Sequence, residues 1–206
     1  MVHIVQIAPQ EIEAESFRII EDELGPTSFS KEEFAVVRRI IHATGDLSFA
    51  EIIKFHPEAV SSGLRAIRAG RDILVDVNMA ASGISKKLLA EFGGKVICRV
   101  AEPETYAYAR EHKVTRSDAA ITLAAQDNIG IVAVGNAPTA LLKTMELIER
   151  GLLKPDLVIG TAVGFVNAAE SKELLALKEY PYIVVSGRKG GTGANVAAVN
   201  ALLHLA

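Results

Sequence analysis

The chain has no tryptophan, a single cysteine among 206 residues and only 5% aromatic side chains, although half of its residues are hydrophobic. That balance argues against an aromatic-rich β sandwich and for a closely packed aliphatic α/β core. One cysteine cannot form an intramolecular disulfide. Cys98 sits inside the apolar run KVICRV, where a buried strand residue is expected, so nothing points to an oxidising compartment. No uninterrupted apolar stretch reaches the roughly 18 residues of a membrane span. The opening MVHIVQIAPQEIEAES is too short in its apolar run, and too acidic after it, for a signal peptide. A cytoplasmic protein without membrane contact is expected. The formal net charge of −3 gives no general field for nucleic acid, so no nucleic-acid partner is expected and an acidic ligand must be held by a local cluster.

Several catalytic and nucleotide-binding motifs are also missing. There is no G-x-x-x-x-G-K-[ST], G-x-S-x-G, C-x-x-C or H-E-x-x-H, which argues against a P-loop enzyme, an α/β hydrolase, a dithiol redox protein and a zincin. GGTGAN near the C-terminus lacks the third glycine of a dinucleotide fingerprint and leaves too little chain for the acidic residue that should follow. His3, His42, His56, His112 and His204 show no metal-ligand spacing, so neither a metal nor another cofactor is expected.

What is present is an alternation of strand-like and helix-like segments within one expected domain, 1–206. Five nearly continuous apolar runs, 72–77, 95–100, 130–135, 156–160 and 182–187, read as strands covered on both faces. Helical patterns separate them: 84–92, 115–126, 138–150, 168–178 and 194–204. With an all-helical opening, this order predicts a three-layer α/β/α architecture. The expectation is a flavodoxin-like, doubly wound, five-stranded parallel sheet with additional N-terminal helices.

In such a sheet ligands bind beyond the carboxyl ends of the strands. The segments expected there, 78–85, 135–139, 160–171 and 186–195, are rich in Gly, Ser, Thr and Asn. Small residues let a ligand approach the backbone, and amides at helix N-termini bind carboxylate or phosphate oxygens. Together the loops predict a broad anion-binding cleft. VVRRIIHATGD at 36–46 adds a cationic element. A helix capped by Ser30, with Glu33 in capping-box position, should end near Gly45, placing His42 on its last turn with Arg38 and Arg39 one turn behind. The partial negative charge at that helix end suits an imidazolium.

ESFRII at 15–20, RRIIHATGD at 38–46, TRSDAA at 115–120, GNAPTAL at 135–141, VGFVNAAESK at 163–172 and GRKGGTGANVAAVNALL at 187–203 are long and chemically unusual. In these segments the chain resembles the precorrin-8X methylmutase family of cobalamin biosynthesis. The resemblance implies an isomerase that moves a methyl group from C-11 to C-12 of a corrinoid ring, giving hydrogenobyrinate or its cobalt form. By position it implies His42 as the catalytic histidine and proton donor, with Ser16, Arg39 and Arg116 meeting the substrate. Ser85 stands where the family commonly has threonine. Asn136, Ser171, Lys172, Arg188, Gly190 and Gly191 fall in the motifs expected to line the cleft. A tetrapyrrole is the implied partner, and a homodimer is expected because a corrinoid is wide and the AVVRRII and AVGFV segments look more apolar than one small core needs. The loops taken alone leave two other classes open, a corrinoid-binding protein without turnover and an α/β enzyme acting on a phosphorylated metabolite.

Overall fold

A computed structural model describes residues 6–125 and 128–206. After a 3-10 turn at Pro9–Glu11 come α1 (Ile12–Leu24), α2 (Lys31–Thr44), α3 (Phe49–Ile52), β1 (Ile53–Phe55) and α4 (Ala59–Arg68). The middle of the chain forms β2 (Asp72–Val75), α5 (Asn78–Gly83), α6 (Lys86–Glu91), β3 (Val96–Ile97), α7 (Pro103–His112) and α8 (Arg116–Ala124). The rest comprises β4 (Ile129–Val134), α9 (Pro138–Glu149), β5 (Leu157–Gly160), α10 (Ala168–Leu175), β6 (Tyr182–Val185) and α11 (Thr192–Leu205).

The expected five-stranded, all-parallel sheet is corrected in one respect. The sheet has six strands in the order β1-β6-β5-β4-β2-β3, and β1 runs antiparallel to β6. The other five are mutually parallel, and chain order reverses between β2 and β4. The opening is therefore not all helical. β1 escapes a periodicity search because it has three residues, one of them the exposed Lys54, and is stopped by Pro57. It pairs Ile53 with Val185 and Phe55 with Ile183, and the Ser186 amide extends the ladder to the Ile52 carbonyl at 2.8 Å.

Alternation in the central strands divides the core. Ile73, Val75, Ile131, Ala133, Ile159, Ile183 and Val185 face one helical layer, in which Val36, Val37, Ile40 and Ile41 of α2 and the apolar side of α11 are buried. Leu74, Val132, Val134, Val158 and Val184 face the other, built from α8, α9 and α10. β3 departs from expectation: it keeps only two residues of the 95–100 run, both half-buried, because it is an edge strand, and Cys98 is likewise half-buried. Residues 78–83, expected as loop, form the short helix α5, and the 84–92 helix starts only after Ser85. The expected end of α8 at Gln126 lies outside the described residues, as does His3. Among the described residues no helix is long and apolar enough to cross a membrane.

The termini of α2 follow local chemistry. Ser30 accepts a hydrogen bond from the Glu33 amide while the Glu33 carboxylate accepts from the Ser30 amide, and Gly45 closes the helix at φ 65° with its amide on the Ile41 carbonyl. Four buried aliphatics fix the inner face of α2. Ser30→Ala removes one half of the reciprocal cap and is expected to cost about 0.5–2 kcal/mol in chemical denaturation without altering the fold by circular dichroism.

Candidate functional site

Antiparallel pairing of β1 with β6 places the beginning of β1 beside the end of β6. The turn between α2 and α3, residues 45–48, is thereby carried to the carboxyl edge of the parallel sheet, where the 186–191 loop emerges. The Lys189 ammonium donates to Asp46 at 2.7 Å and to the Ser48 hydroxyl at 2.8 Å. Those partners hold the Asp46 carboxyl well below its ordinary value, at about 2, so it remains a carboxylate at any neutral pH. A concavity on this side is bounded by Thr44, Asp46, Phe49, Val163, Lys189 and Gly190.

On the other side of the same turn lies a groove containing Ser16, Ile19, Ile41, His42 and Gly45. His42 is exposed, on the last turn of α2, and its ring makes no hydrogen bond or ion pair among the described residues. It is held by an edge-to-face contact with Phe17 of α1, the ring centroids 5.4 Å apart. Phe17 also receives the guanidinium groups of Arg38 and Arg39, at 4.2 and 5.3 Å from its centroid. Neither arginine stands unpaired. Arg38 pairs with Glu21, and Arg39 donates to Glu13 at 2.9 Å. The Arg39 guanidinium in turn holds the Glu13 carboxyl below its usual range. Charge around His42 is thus balanced by two carboxylates of α1, which periodicity in α2 could not reveal. Ser16 shares the groove, its hydroxyl turned back onto the Ile12 carbonyl at 2.9 Å.

The Gly-rich stretch after β6 approaches the backbone of the neighbouring loop closely. Gly190 (φ 146°) lies so near Thr161 that a Cβ there would come within 2.2 Å of its carbonyl oxygen, and the Gly191 amide (φ 105°) donates to that same oxygen at 2.7 Å. Helix α11 begins immediately afterwards without a side-chain cap. Arg188 is exposed and stacks over Phe165 at 5.3 Å.

The other expected residues are distributed less simply. Asn136 is exposed on the loop after β4. Arg116 is exposed at the first position of α8 and donates to the Tyr106 hydroxyl at 2.7 Å; the local acid Asp118 lies instead beside Lys143 at 3.7 Å. Ser85 caps α6 through the Leu88 amide, and its own amide donates to Asn200 midway along α11, so the hydroxyl is spent on local structure. Ser171 and Lys172 are buried, and neither presents its side chain to solvent. The Ser171 hydroxyl donates to the Ala168 carbonyl, and the Lys172 ammonium to the Lys189 carbonyl. Among the described residues no three His, Cys, Asp or Glu side chains cluster as a metal would require.

One residue that sequence reasoning passed over organises the reversal point of the sheet. Asp76, fully buried after β2, accepts hydrogen bonds from the amides of Gly135, Asn136 and Ala137 at 3.0, 2.9 and 2.7 Å. Burial pushes its carboxyl up from the ordinary value, and the three amides oppose that shift. The available signal was an aspartate directly after the apolar run Ile73–Val75, at the carboxyl end of a buried strand.

The sequence pattern of a family described as precorrin-8X methylmutase matches residues 11–205. A cobalt-precorrin-8 methylmutase of Priestia megaterium is 42% identical over 201 residues, covering 97% of this chain and 89% of that protein. A precorrin-8X methylmutase of Sinorhizobium sp. is 42% identical over 190 residues, covering 91% and 90%. Among solved structures, that of a precorrin-8X methylmutase from Thermus thermophilus superposes with a TM-score of 0.86 at 45% identity, covering 95% of this chain and 96% of that one.

Asp76→Asn keeps the shape but leaves fewer acceptor sites for three converging amides. It is expected to destabilise the protein by about 1.5–3 kcal/mol in urea titration. Faster hydrogen exchange should be confined to the 135–137 amides and their neighbours.

Proposed function

Because the chain belongs to the precorrin-8X methylmutase family, we propose that it isomerises precorrin-8X or cobalt-precorrin-8 by moving the C-11 methyl group to C-12, giving hydrogenobyrinate or cobyrinate. The observation that carries this reading is the match over nearly the whole chain, together with a solvent-facing histidine at the end of a helix whose following turn is tied to the glycine-rich loop by the Lys189–Asp46 pair. The substrate is a wide apolar ring fringed with acetate and propionate carboxylates. Arg188, Arg116 and the amides of the first turn of α11 supply donors such a fringe requires. Arg39 can meet a further carboxylate by exchanging Glu13 for it, a swap of like partners that leaves the charge balance around His42 unchanged.

A [1,5]-sigmatropic methyl shift breaks one carbon–carbon bond and makes another within the same molecule. It needs no nucleophile or reductant from the protein. His42, as imidazolium, donates a proton or a hydrogen bond to the ring and draws electron density along the conjugated system as the methyl migrates, and the proton is returned with the product. Whether cobalt already sits in the ring is a property of the substrate, and turnover of metal-free and cobalt-loaded precorrin-8 by the purified protein, followed by visible absorbance, tests the activity directly.

The working unit is proposed to be a homodimer acting in the cytoplasm. The two segments that suggested it separate in the fold. Val36, Val37, Ile40 and Ile41 are consumed by the core, so the AVVRRII segment gives no support. Val163, Phe165 and Val166, exposed by 43%, 81% and 79%, form an apolar projection beside the cleft that a second copy would cover. Phe165→Asp is expected to shift the sedimentation coefficient from dimer to monomer and to reduce turnover. A wild-type monomer with full activity would refute the dimer.

His42→Ala is expected to retain hydrogenobyrinate binding, because binding is spread over several loops, and to lower kcat by about 10²- to 10⁴-fold. His42→Asn, which can hydrogen-bond but not deliver a proton, should resemble it. Near-normal single-turnover rates in both variants would remove the proton-donor role.

A further inference from the structure

Lys172 is the only charged residue among the largest fully buried side chains, with 1% of its surface exposed. A buried ammonium ordinarily has a carboxylate beside it, since desolvating an unpaired charge is expensive. Among the described residues no carboxylate compensates here. The Nζ of Lys172 donates to the carbonyl oxygen of Lys189 at 2.6 Å, its one hydrogen bond among the described residues. Burial alone lowers its pKa to about 8 from the 10.5 of a free lysine. Folding therefore disfavours its charged form: the cost is complete below pH 8 and fades as pH rises toward 10.5. A methionine would fill the same space without that penalty.

The acceptor shows what the charge does. The Lys189 carbonyl turns inward to reach Lys172, while the Lys189 side chain turns outward to Asp46 and Ser48. The next two residues, Gly190 and Gly191, have positive φ and run against the Thr161 carbonyl, and α11 opens at once after them. One residue is thus gripped from below through its backbone and from the side through its ammonium, immediately before the loop turns into a helix N-terminus. We propose that Lys172 is a positioning residue: from beneath, it fixes the carbonyl of Lys189 so that Gly191 stays locked on the Thr161 carbonyl and the free amides of the first turn of α11 stay directed at the carboxylates of the corrinoid, while its buried positive charge adds to the attraction for them. The inference rests on the methylmutase reading above and assigns Lys172 a role without direct contact with the ring.

Lys172→Met, compared with wild type, separates this role from a structural one. The variant should melt no lower than wild type at pH 7, with any gain shrinking toward pH 10. Its Kd for hydrogenobyrinate, titrated by visible absorbance, should rise about tenfold or more, the equivalent of one charge-assisted hydrogen bond. KM should rise in parallel while kcat at saturation stays close to wild type, the opposite split from His42→Ala, and hydrogen exchange at Gly190 and Gly191 should accelerate. An unchanged Kd, or unchanged exchange at these two amides, overturns the proposal. Lys172→Gln, which keeps a donor but not the charge, is the second variant; if neither variant folds, Lys172 is a folding requirement and the proposal is also overturned. Wild-type protein that binds no hydrogenobyrinate would refute the methylmutase reading itself, and the role of Lys172 with it, whereas tight wild-type binding with an unaffected variant refutes only the latter.

Discussion

The candidate site depends on a three-residue antiparallel pairing. Five parallel strands create a carboxyl edge with glycine-rich loops, but they do not bring a helix C-terminus to it. Pairing of Ile53–Phe55 with Ile183–Val185 does, because reversal of direction sets the start of β1 against the end of β6. The α2–α3 turn is thereby drawn to that edge and tied by Lys189 to Asp46. Had β1 joined in parallel, its start would lie at the opposite, amino edge, and α2 would deliver His42 there. Ladder hydrogen bonds at His56 and Ser186 extend the short strand at both ends, which compensates for its length.

A second theme is that positive charge near the edge is held in different ways according to use. Arg38 and Arg39 stack on one aromatic ring and are neutralised by α1, so they surround His42 without adding net charge. Lys189 is neutralised by Asp46. Among the described residues, Lys172 alone is a cation buried without a carboxylate, directly under the loop that turns into α11. Paired cations on the surface contribute little to stability, whereas a lone buried one detracts from it. A buried cation without a carboxylate thus lies where the proposed function calls for attraction of carboxylates.

Much of the fold was legible because its signals are local. Each of the five parallel strands falls within or overlaps a nearly continuous apolar run, though β3 keeps only two residues of its run. The Ser30 and Gly45 caps bound α2 as their chemistry requires, and Pro138 starts α9. What escaped was non-local or short. β1 carries no periodicity, and β3 reads as a buried strand although it sits at an edge, since an apolar run does not say how many neighbours will cover it. Among site residues, the loop membership of Asn136, Arg188, Gly190 and Gly191 could be inferred from composition. The inward turn of Lys172, the use of Ser85 as a helix cap and the three-amide grip of Asp76 depend on what the fold places opposite each side chain. The pairing of Arg39 with Glu13, 26 residues away, belongs to the same class.

The exposure of His42 bears on how such a site would work. Proton donation to a weakly basic ring is most effective where water is excluded, and here the imidazole faces solvent in a shallow groove between α1 and the end of α2. Two covers are available under the proposed function. The ring itself is broad enough to seal the groove while its carboxylates rest on the surrounding loops, and the Val163–Val166 projection gives a second copy an apolar surface on which to close. Water exclusion would then come from assembly and substrate rather than from a lid within the chain. On this arrangement the free protein keeps its histidine hydrated and its neighbouring arginines paired, and the conditions for proton transfer arise only once a ligand with several carboxylates is bound.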